Sequence, residues 1–330
     1  MSTTMGDHRF DEEYEEPFER CVSRFWEKLN TERCAHLRKE GFLVIDDFLG
    51  RGWSRALLQE TQWVHKNGFM RANETHFSHP GGQRFQFSKP NIFEVDLHDA
   101  GIRNRLPELN ALFQQDDLVE ALESAFSNGL RLSRGTGGRT LKLQRNAGSG
   151  GCFPLHFDNP GPPNKRALTC LLYLNPHWKE GDGGEVCLTP FLEKELTIAP
   201  MLDRLVIFRS DRILHRVLPS NAERYMLTIW IDSPDVNSPA ESTLRITKSQ
   251  LEDWLGFCEF MRRSPVQRVL SRGVYEEQYE RSLRDCMLGA EGFEEMLSAH
   301  QAQVCALKKN KGLYGIIQRL RQTAALAALS

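Results

Sequence analysis

Eight cysteines are spread through the 330 residues, and no two stand at the Cys-x-x-Cys spacing of zinc ribbons or redox motifs. Disulfide scaffolds are short and cysteine-dense, so mostly reduced, buried thiols are expected here. No run of about eighteen apolar residues exists, so no membrane span is expected. The opening stretch MSTTMGDHRFDEEYEE is acidic and polar. A secretory signal would need a basic start and an apolar run, so the expected location is the cytoplasm or nucleus. Charge of either sign is not in excess: 42 Lys and Arg face 44 Asp and Glu, and the pI is about 6.6. That balance gives no nucleic-acid footprint, and no nucleic-acid partner is expected. With 40% hydrophobic residues, the chain can bury one large core or two smaller ones.

Along the chain, Phe18, Val22, Phe25, Trp26 and Leu29 recur at helical spacing and predict a helix over 17–30. Phe42–Leu49, between Gly41 and Gly50, reads as a buried strand, and a helix follows from Ser54 to Lys66. Residues 69–92 are rich in Gly, Pro, Ser, His and Asn and read as loop or irregular strand, a possible substrate lid carrying His76 and His79. A further helix is expected over 115–127. From 141 the texture changes. Short apolar or alternating runs at 141–145, 153–157, 167–174, 185–189, 196–200, 204–208, 215–219 and 225–231 are punctuated by Gly, Pro, Asn and Asp. Eight short strands in about ninety residues argue for an all-β barrel or sandwich. After a linker at 233–239, Thr247-Lys-Ser-Gln250 resembles a capping box. Leu251, Trp254, Leu255 and Cys258 then form a helical stripe ending near Pro265. Residues 274–288 and 291–328 also read as helical.

The chemistry-bearing signal is His156-Phe-Asp158, with His215 much later. On an extended strand, residues two apart share a face, so both side chains of the first pair can reach one metal. Two histidines and one carboxylate form the facial triad of non-haem iron(II) oxygenases, which leaves coordination positions for a 2-oxo acid and oxygen. His156 could equally be a satisfied barrel histidine, since isolated matches of this length are common by chance. Arg224 follows His215 by nine residues, across a turn at Pro219-Ser-Asn-Ala, and is expected on the neighbouring antiparallel strand. Its guanidinium could clamp a carboxylate through two parallel hydrogen bonds, or simply sit at the surface beside Glu223. Tyr173 lies in a strongly apolar strand and needs a partner for its hydroxyl. That partner could be the same carboxylate, a backbone group or water.

Taken together, His156-Phe-Asp-Asn-Pro160, Arg166-Ala-Leu-Thr-Cys-Leu-Leu-Tyr-Leu-Asn175, Gly183-Gly-Glu185, Ile198-Ala-Pro200, Asp203-Arg-Leu205, Phe208-Arg-Ser-Asp211, His215-Arg-Val-Leu-Pro219 and Arg224-Tyr-Met-Leu-Thr-Ile-Trp230 come in a specific order. In that order they resemble the catalytic barrel of prolyl 4-hydroxylase-like Fe(II)/2-oxoglutarate dioxygenases, above all the soluble oxygen-sensing prolyl hydroxylases. The resemblance covers roughly 41–232. It implies a double-stranded β-helix (jelly-roll, cupin-like) core with supporting helices from the N-terminal half. With the helical periodicity at either end, the expected architecture is α+β: an N-terminal helical segment 1–40, a dioxygenase domain 41–235 with its barrel core at 141–232, and a C-terminal helical extension 236–330. It implies His156, Asp158 and His215 as iron ligands, Arg224 and Tyr173 as 2-oxoglutarate contacts, and Arg166 and Trp230 on the substrate side. Fe(II), 2-oxoglutarate and O2 would be the cofactors and cosubstrates, L-ascorbate the reductant, and a prolyl residue of a protein or peptide the substrate. Asn159 and Ser210 are expected to orient the ligands. The rival readings are the same chemistry on a small molecule or nucleic acid base, and a non-catalytic binding protein on the same barrel. Iron content and succinate formation separate the last of these from an enzyme.

Overall fold

Strands cannot satisfy their backbone groups alone, and their partners decide the architecture. The computed structural model describes residues 20–78, 82, 84–126, 129–236 and 246–329. The N-terminal half contributes α1 (Ser23–Lys28), α2 (Thr31–Glu40), β1 (Phe42–Ile45), α3 (Arg51–Lys66), β2 (Arg71–Ser78), β3 (Arg84–Asp96), α4 (Ala100–Arg103), α5 (Pro107–Gln114) and α6 (Asp117–Ser124). The barrel follows as β4 (Arg139–Asn146), β5 (Gly151–His156), β6 (Arg166–Tyr173), β7 (Val186–Thr189), β8 (Leu196–Ile198), β9 (Leu205–Arg209), β10 (Leu214–Ser220) and β11 (Arg224–Asp232). The chain ends in α7 (Lys248–Glu252), α8 (Trp254–Arg263), α9 (Gln267–Val274), α10 (Glu276–Met287), α11 (Phe293–Lys309) and α12 (Lys311–Leu329).

The strands form two antiparallel sheets, ordered β1-β9-β6-β11-β4-β3-β2 and β5-β10-β7-β8. The eight strands from β4 to β11 divide four and four between them, the arrangement of a double-stranded β-helix inside an α+β protein. Alternation does the sorting. Leu141, Leu143, Leu227, Ile229 and Ile231 turn one face of the larger sheet onto a core shared with α2, α3, α5 and α6. Leu171, Tyr173 and Met226 turn the other face inward, against Val186, Leu188 and Ile198 of the smaller sheet. The site lies between the two sheets.

All eight barrel strands occur where the residue pattern put them; other segments differ. The helix expected over 17–30 is broken: Asn30 leaves helical geometry and its side chain caps α2 through the Arg33 N–H. Phe25 and Leu29 are buried as expected, Trp26 is 47% exposed, and Phe18 lies outside the described residues. The strand expected over 42–49 stops at Ile45, because Asp47 takes a positive φ of 52° in the turn toward α3. In the segment 69–92 the strand alternative holds: its described residues form most of β2 and β3, an antiparallel pair at the sheet's edge with a register shift between Ala72 and Glu74. Its residues are too polar to look buried, yet ladder pairing to β4 needs only their backbone. His76 falls in β2, and His79 lies outside the described residues. Helices α4, α5 and α9 were not expected, and the run 291–328 is two helices broken at Asn310. The Thr247–Gln250 capping box is present in both directions. Of the predicted stripe after it, Leu251, Trp254 and Cys258 pack inward while Leu255 is 83% exposed.

The expectation of mostly reduced, buried thiols holds for most of the cysteines, and one pair departs from it. Cys152 of β5 and Cys286 of α10 form a disulfide across 134 residues, with Cα atoms 5.4 Å apart. No sequence spacing marks that pair. The other six are free thiols, four of them buried.

One buried carboxylate ties the first strand to the barrel. Asp203 accepts the N–H groups of Leu49 and Gly50, each at 2.8 Å, where the chain turns into α3. Burial pushes its pKa up to about 6 even though these bonds favour the charge. Asp203→Ala leaves two backbone donors without their acceptor and should lower stability by about 2–4 kcal/mol in urea unfolding. An unchanged midpoint and slope would contradict this account of the junction.

Candidate active site

The first two histidines meet through strand pairing. In the ladder between β5 and β10, His156 and His215 stand directly opposite each other, and their ring centroids are 4.3 Å apart. Each Nδ1 faces a backbone carbonyl two residues back, Pro154 at 2.8 Å and Ile213 at 3.2 Å. A carbonyl can only accept, so Nδ1 carries the proton and Nε2 keeps its lone pair. Asp158 completes the group, with ligand atoms from all three residues within 4.8 Å of one another. Its Oδ1 lies 3.4 Å from His156 Nε2 and its Oδ2 3.8 Å from His215 Nε2.

Asp158 does not reach this point by strand alternation as expected, since β5 ends at His156. A bend carries it toward the larger sheet, where Oδ2 accepts the Thr169 hydroxyl at 2.7 Å and the Trp230 Nε1–H at 2.9 Å. Burial works against the carboxylate, but the two imidazoles and the Trp230 donor outweigh it and hold its pKa well below the usual range. Burial, with His156 alongside, pushes His215 down to about 4. At neutral pH the site therefore presents a carboxylate and an uncharged His215 imidazole, the states that metal ligation requires.

Arg224 opens β11. Contrary to expectation β11 is not the ladder neighbour of β10: the turn at 221–223 crosses from one sheet to the other. This crossing turns Arg224 inward. It is buried, and its Nε and Nη2 have no hydrogen-bond partner among the described residues. The Tyr173 hydroxyl, fully buried, is likewise unpartnered, and the guanidinium lies 5.0 Å from the tyrosine ring centroid. Burial pushes the Tyr173 phenol up and lowers Arg224. Unpaired buried donors are costly. Three of them beside the apolar cluster of Leu171, Val186, Leu188 and Ile198 suit a ligand with a carboxylate at one end.

Arg166 and Trp230 are together as well, the guanidinium stacked 3.9 Å above the indole centroid. Trp230 is more than a wall, because its N–H holds a candidate ligand. Asn159 and Ser210 act at one remove: Ser210 hydrogen-bonds Thr169 at 2.8 Å, and the Asn159 N–H donates to the Ser210 carbonyl. Thr169, a lone hydroxyl in the apolar run Ala167–Leu172, was the available signal for the group that touches Asp158 directly. Sequence reasoning also missed a polar patch on the same inner face. Lys89 donates to Asn73 Oδ1 at 2.6 Å and lies 4.8 Å from the Phe153 centroid, while Lys142 pairs with Glu94 at 2.5 Å. Burial pushes Lys89 down to about 8.

Two imidazoles and a carboxylate with room left around them characterise the non-haem Fe(II) oxygenases, and this barrel enters that class. Residues 141–232 match the 2OG-Fe(II) oxygenase superfamily. Prolyl hydroxylase EGLN3 of Mus musculus is 29% identical over 223 residues, covering 63% of this chain and 85% of its own. A solved structure from work on prolyl 4-hydroxylases of Phytophthora capsici is 51% identical with a TM-score of 0.84, covering 96% of this chain and 100% of its own. A Trichoplax adhaerens prolyl hydroxylase, solved with a hypoxia inducible factor oxygen degradation domain peptide fragment, is 25% identical with a TM-score of 0.52, covering 68% and 96%. This chain belongs to the 2OG-Fe(II) oxygenase superfamily, within its prolyl 4-hydroxylase-like members.

The position of the Arg224 side chain depends on a missing side chain nearby. Gly184 has φ +77°, and a Cβ there would stand 2.8 Å from Arg224 Cδ and 2.9 Å from Ser220 Oγ. Gly184→Ala should displace the guanidinium and raise the 2-oxoglutarate concentration for half-maximal turnover about tenfold or more. A wild-type value would show that Arg224 does not meet the cosubstrate.

Proposed function

We propose that this protein hydroxylates a prolyl residue of a protein or peptide, and that His156, Asp158 and His215 hold the iron. The observation that carries this reading is the convergence of those three side chains beside a buried arginine with unused donors. The donor set fits the group: two imidazoles whose Nε2 lone pairs are left free by the Nδ1 contacts, and one carboxylate, would suit a ferrous ion. When bound, iron would activate O2, with one oxygen atom going to the substrate and the other to 2-oxoglutarate, which is oxidised to succinate and CO2. L-ascorbate is the proposed reductant that keeps the metal ferrous.

The chain's own residues supply position and dryness. Pro154 and Ile213 carbonyls fix the imidazole tautomers, and Thr169 and Trp230 fix the carboxylate. Arg224, a planar fork in an apolar chamber, takes the distal carboxylate of 2-oxoglutarate, with the Tyr173 hydroxyl as a further donor. The cosubstrate is thereby oriented before the substrate arrives. Arg166 and Trp230 form the stacked wall on the substrate side, and the polar patch of Lys89, Asn73, Glu94 and Lys142 borders the same inner face. A peptide backbone needs polar partners of this kind, and the family relatives support a protein substrate.

The test is anaerobic loading with Fe(II) and 2-oxoglutarate, then oxygen in the presence of a cell lysate, followed by peptide mass spectrometry. Succinate release together with a +16 mass on proline is the expected result. Activity on free metabolites alone rejects the protein-substrate reading. His215→Ala should abolish succinate release while the protein stays folded. Arg224→Lys should keep the metal but lose much of the 2-oxoglutarate affinity, because a point charge cannot make the forked contact. Unchanged cosubstrate affinity in Arg224→Lys would remove the arginine from the account.

A further inference from the structure

The C-terminal helices touch the chain immediately beside each of the three candidate ligands. Ser282 of α10 accepts the backbone N–H of Leu155, the residue before His156, at 3.0 Å. Arg268 of α9 donates through Nη1 to the carbonyl of Asn159, the residue after Asp158, at 2.8 Å, and to the Asn159 side-chain oxygen at 3.1 Å. Asp285 of α10 accepts from Arg216, the residue after His215, at 2.7 Å. Leu155 and Leu214, which precede the two histidines, pack into one apolar cluster with Phe257, Met261, Leu270 and Tyr279 of the helices.

Each contact meets a physical need. β5 is the terminal strand of its sheet, so one row of its backbone groups has no strand partner there. Ser282 satisfies one of these, and the Cys152–Cys286 disulfide fastens the same strand to the same helix. Asn159 is fully buried: its N–H and Nδ2 bond the Ser210 and Arg166 carbonyls, its Oδ1 accepts the Gly161 N–H, and Arg268 donates to both its carbonyl and its Oδ1. Arg268 thereby ties the bend carrying Asp158 to α9 through two charge-assisted hydrogen bonds.

We infer that α9 and α10 are a structural part of the metal centre, with Arg268, Ser282 and Asp285 as positioning residues that set the ligand geometry before metal binds. The extension thus acts on the reaction through the ligands' neighbours. This rests on the reading that His156, Asp158 and His215 hold the ion.

Manganese(II) binding to the full-length protein, read by electron paramagnetic resonance of the free ion without 2-oxoglutarate, tests it. Arg268→Ala, Arg268→Lys and Ser282→Ala are compared with Glu276→Gln, which removes the ion pairs to Lys308 and Arg321 within the extension and touches no ligand neighbour. Thermal unfolding of each metal-free variant is the control for general loosening. The expected result is a 10- to 100-fold weaker manganese affinity for Arg268→Ala, on the order seen when a ligand's supporting partner is lost. Ser282→Ala should also weaken binding, Arg268→Lys should restore part of it, and Glu276→Gln should stay within about twofold of wild type. The inference is overturned if Arg268→Ala and Ser282→Ala bind as wild type does, or if Glu276→Gln weakens binding equally at the same loss of melting temperature. A wild-type protein that binds no manganese instead overturns the metal-site reading itself.

Discussion

The structure depends on one pairing, that of His156 with His215 across the β5–β10 ladder. Backbone hydrogen bonds hold these two residues opposite each other whatever their side chains are, so the metal centre inherits its precision from the sheet. The carbonyls of Pro154 and Ile213 then turn each ring the same way. The third member is set by a different force. Asp158 leaves the strand and is held by donors from the opposite sheet, so the centre also pins the two sheets together. A carboxylate so buried is tolerated because it has specific donors and two imidazoles beside it.

From that point the inner face changes character with distance. Around Arg224 and Tyr173 it is apolar and buried, with donors that have no partner among the described residues. Toward β3 and β4 it is polar, with Lys142 paired to Glu94 and Lys89 to Asn73. A small dicarboxylate suits the first environment and a peptide chain the second. Trp230 joins the candidate ligands to the substrate-side arginine, its ring under Arg166 and its N–H on Asp158.

The barrel was legible because its strands are short, bounded by turn residues and buried on both faces or one, which leaves a strong pattern. The His-x-Asp pair and the later histidine were legible for the same reason, since they lie within that block. What was not legible depended on long-range partners. The hairpin β2–β3 has a polar sequence and owes its form to β4. Thr169 looks like any strand threonine until Asp158 bends toward it. Trp230 reads as a wall residue until the indole N–H is placed. Arg224 was expected beside β10, and only the sheet crossing explains why it is buried. The C-terminal helices carried a clear periodicity, but no pattern in them says that Arg268 and Ser282 end beside the ligands.

The central claim is that three side chains and one arginine define a single cofactor-bearing chamber. A crystal structure of the protein soaked anaerobically with manganese(II) and 2-oxoglutarate, with anomalous scattering to locate the metal, measures this directly. The account predicts one metal about 2 Å from His156 Nε2, His215 Nε2 and an Asp158 oxygen. It also predicts the distal carboxylate of 2-oxoglutarate on the Arg224 guanidinium. Metal bound elsewhere, or a cosubstrate whose far carboxylate points away from Arg224, would contradict it.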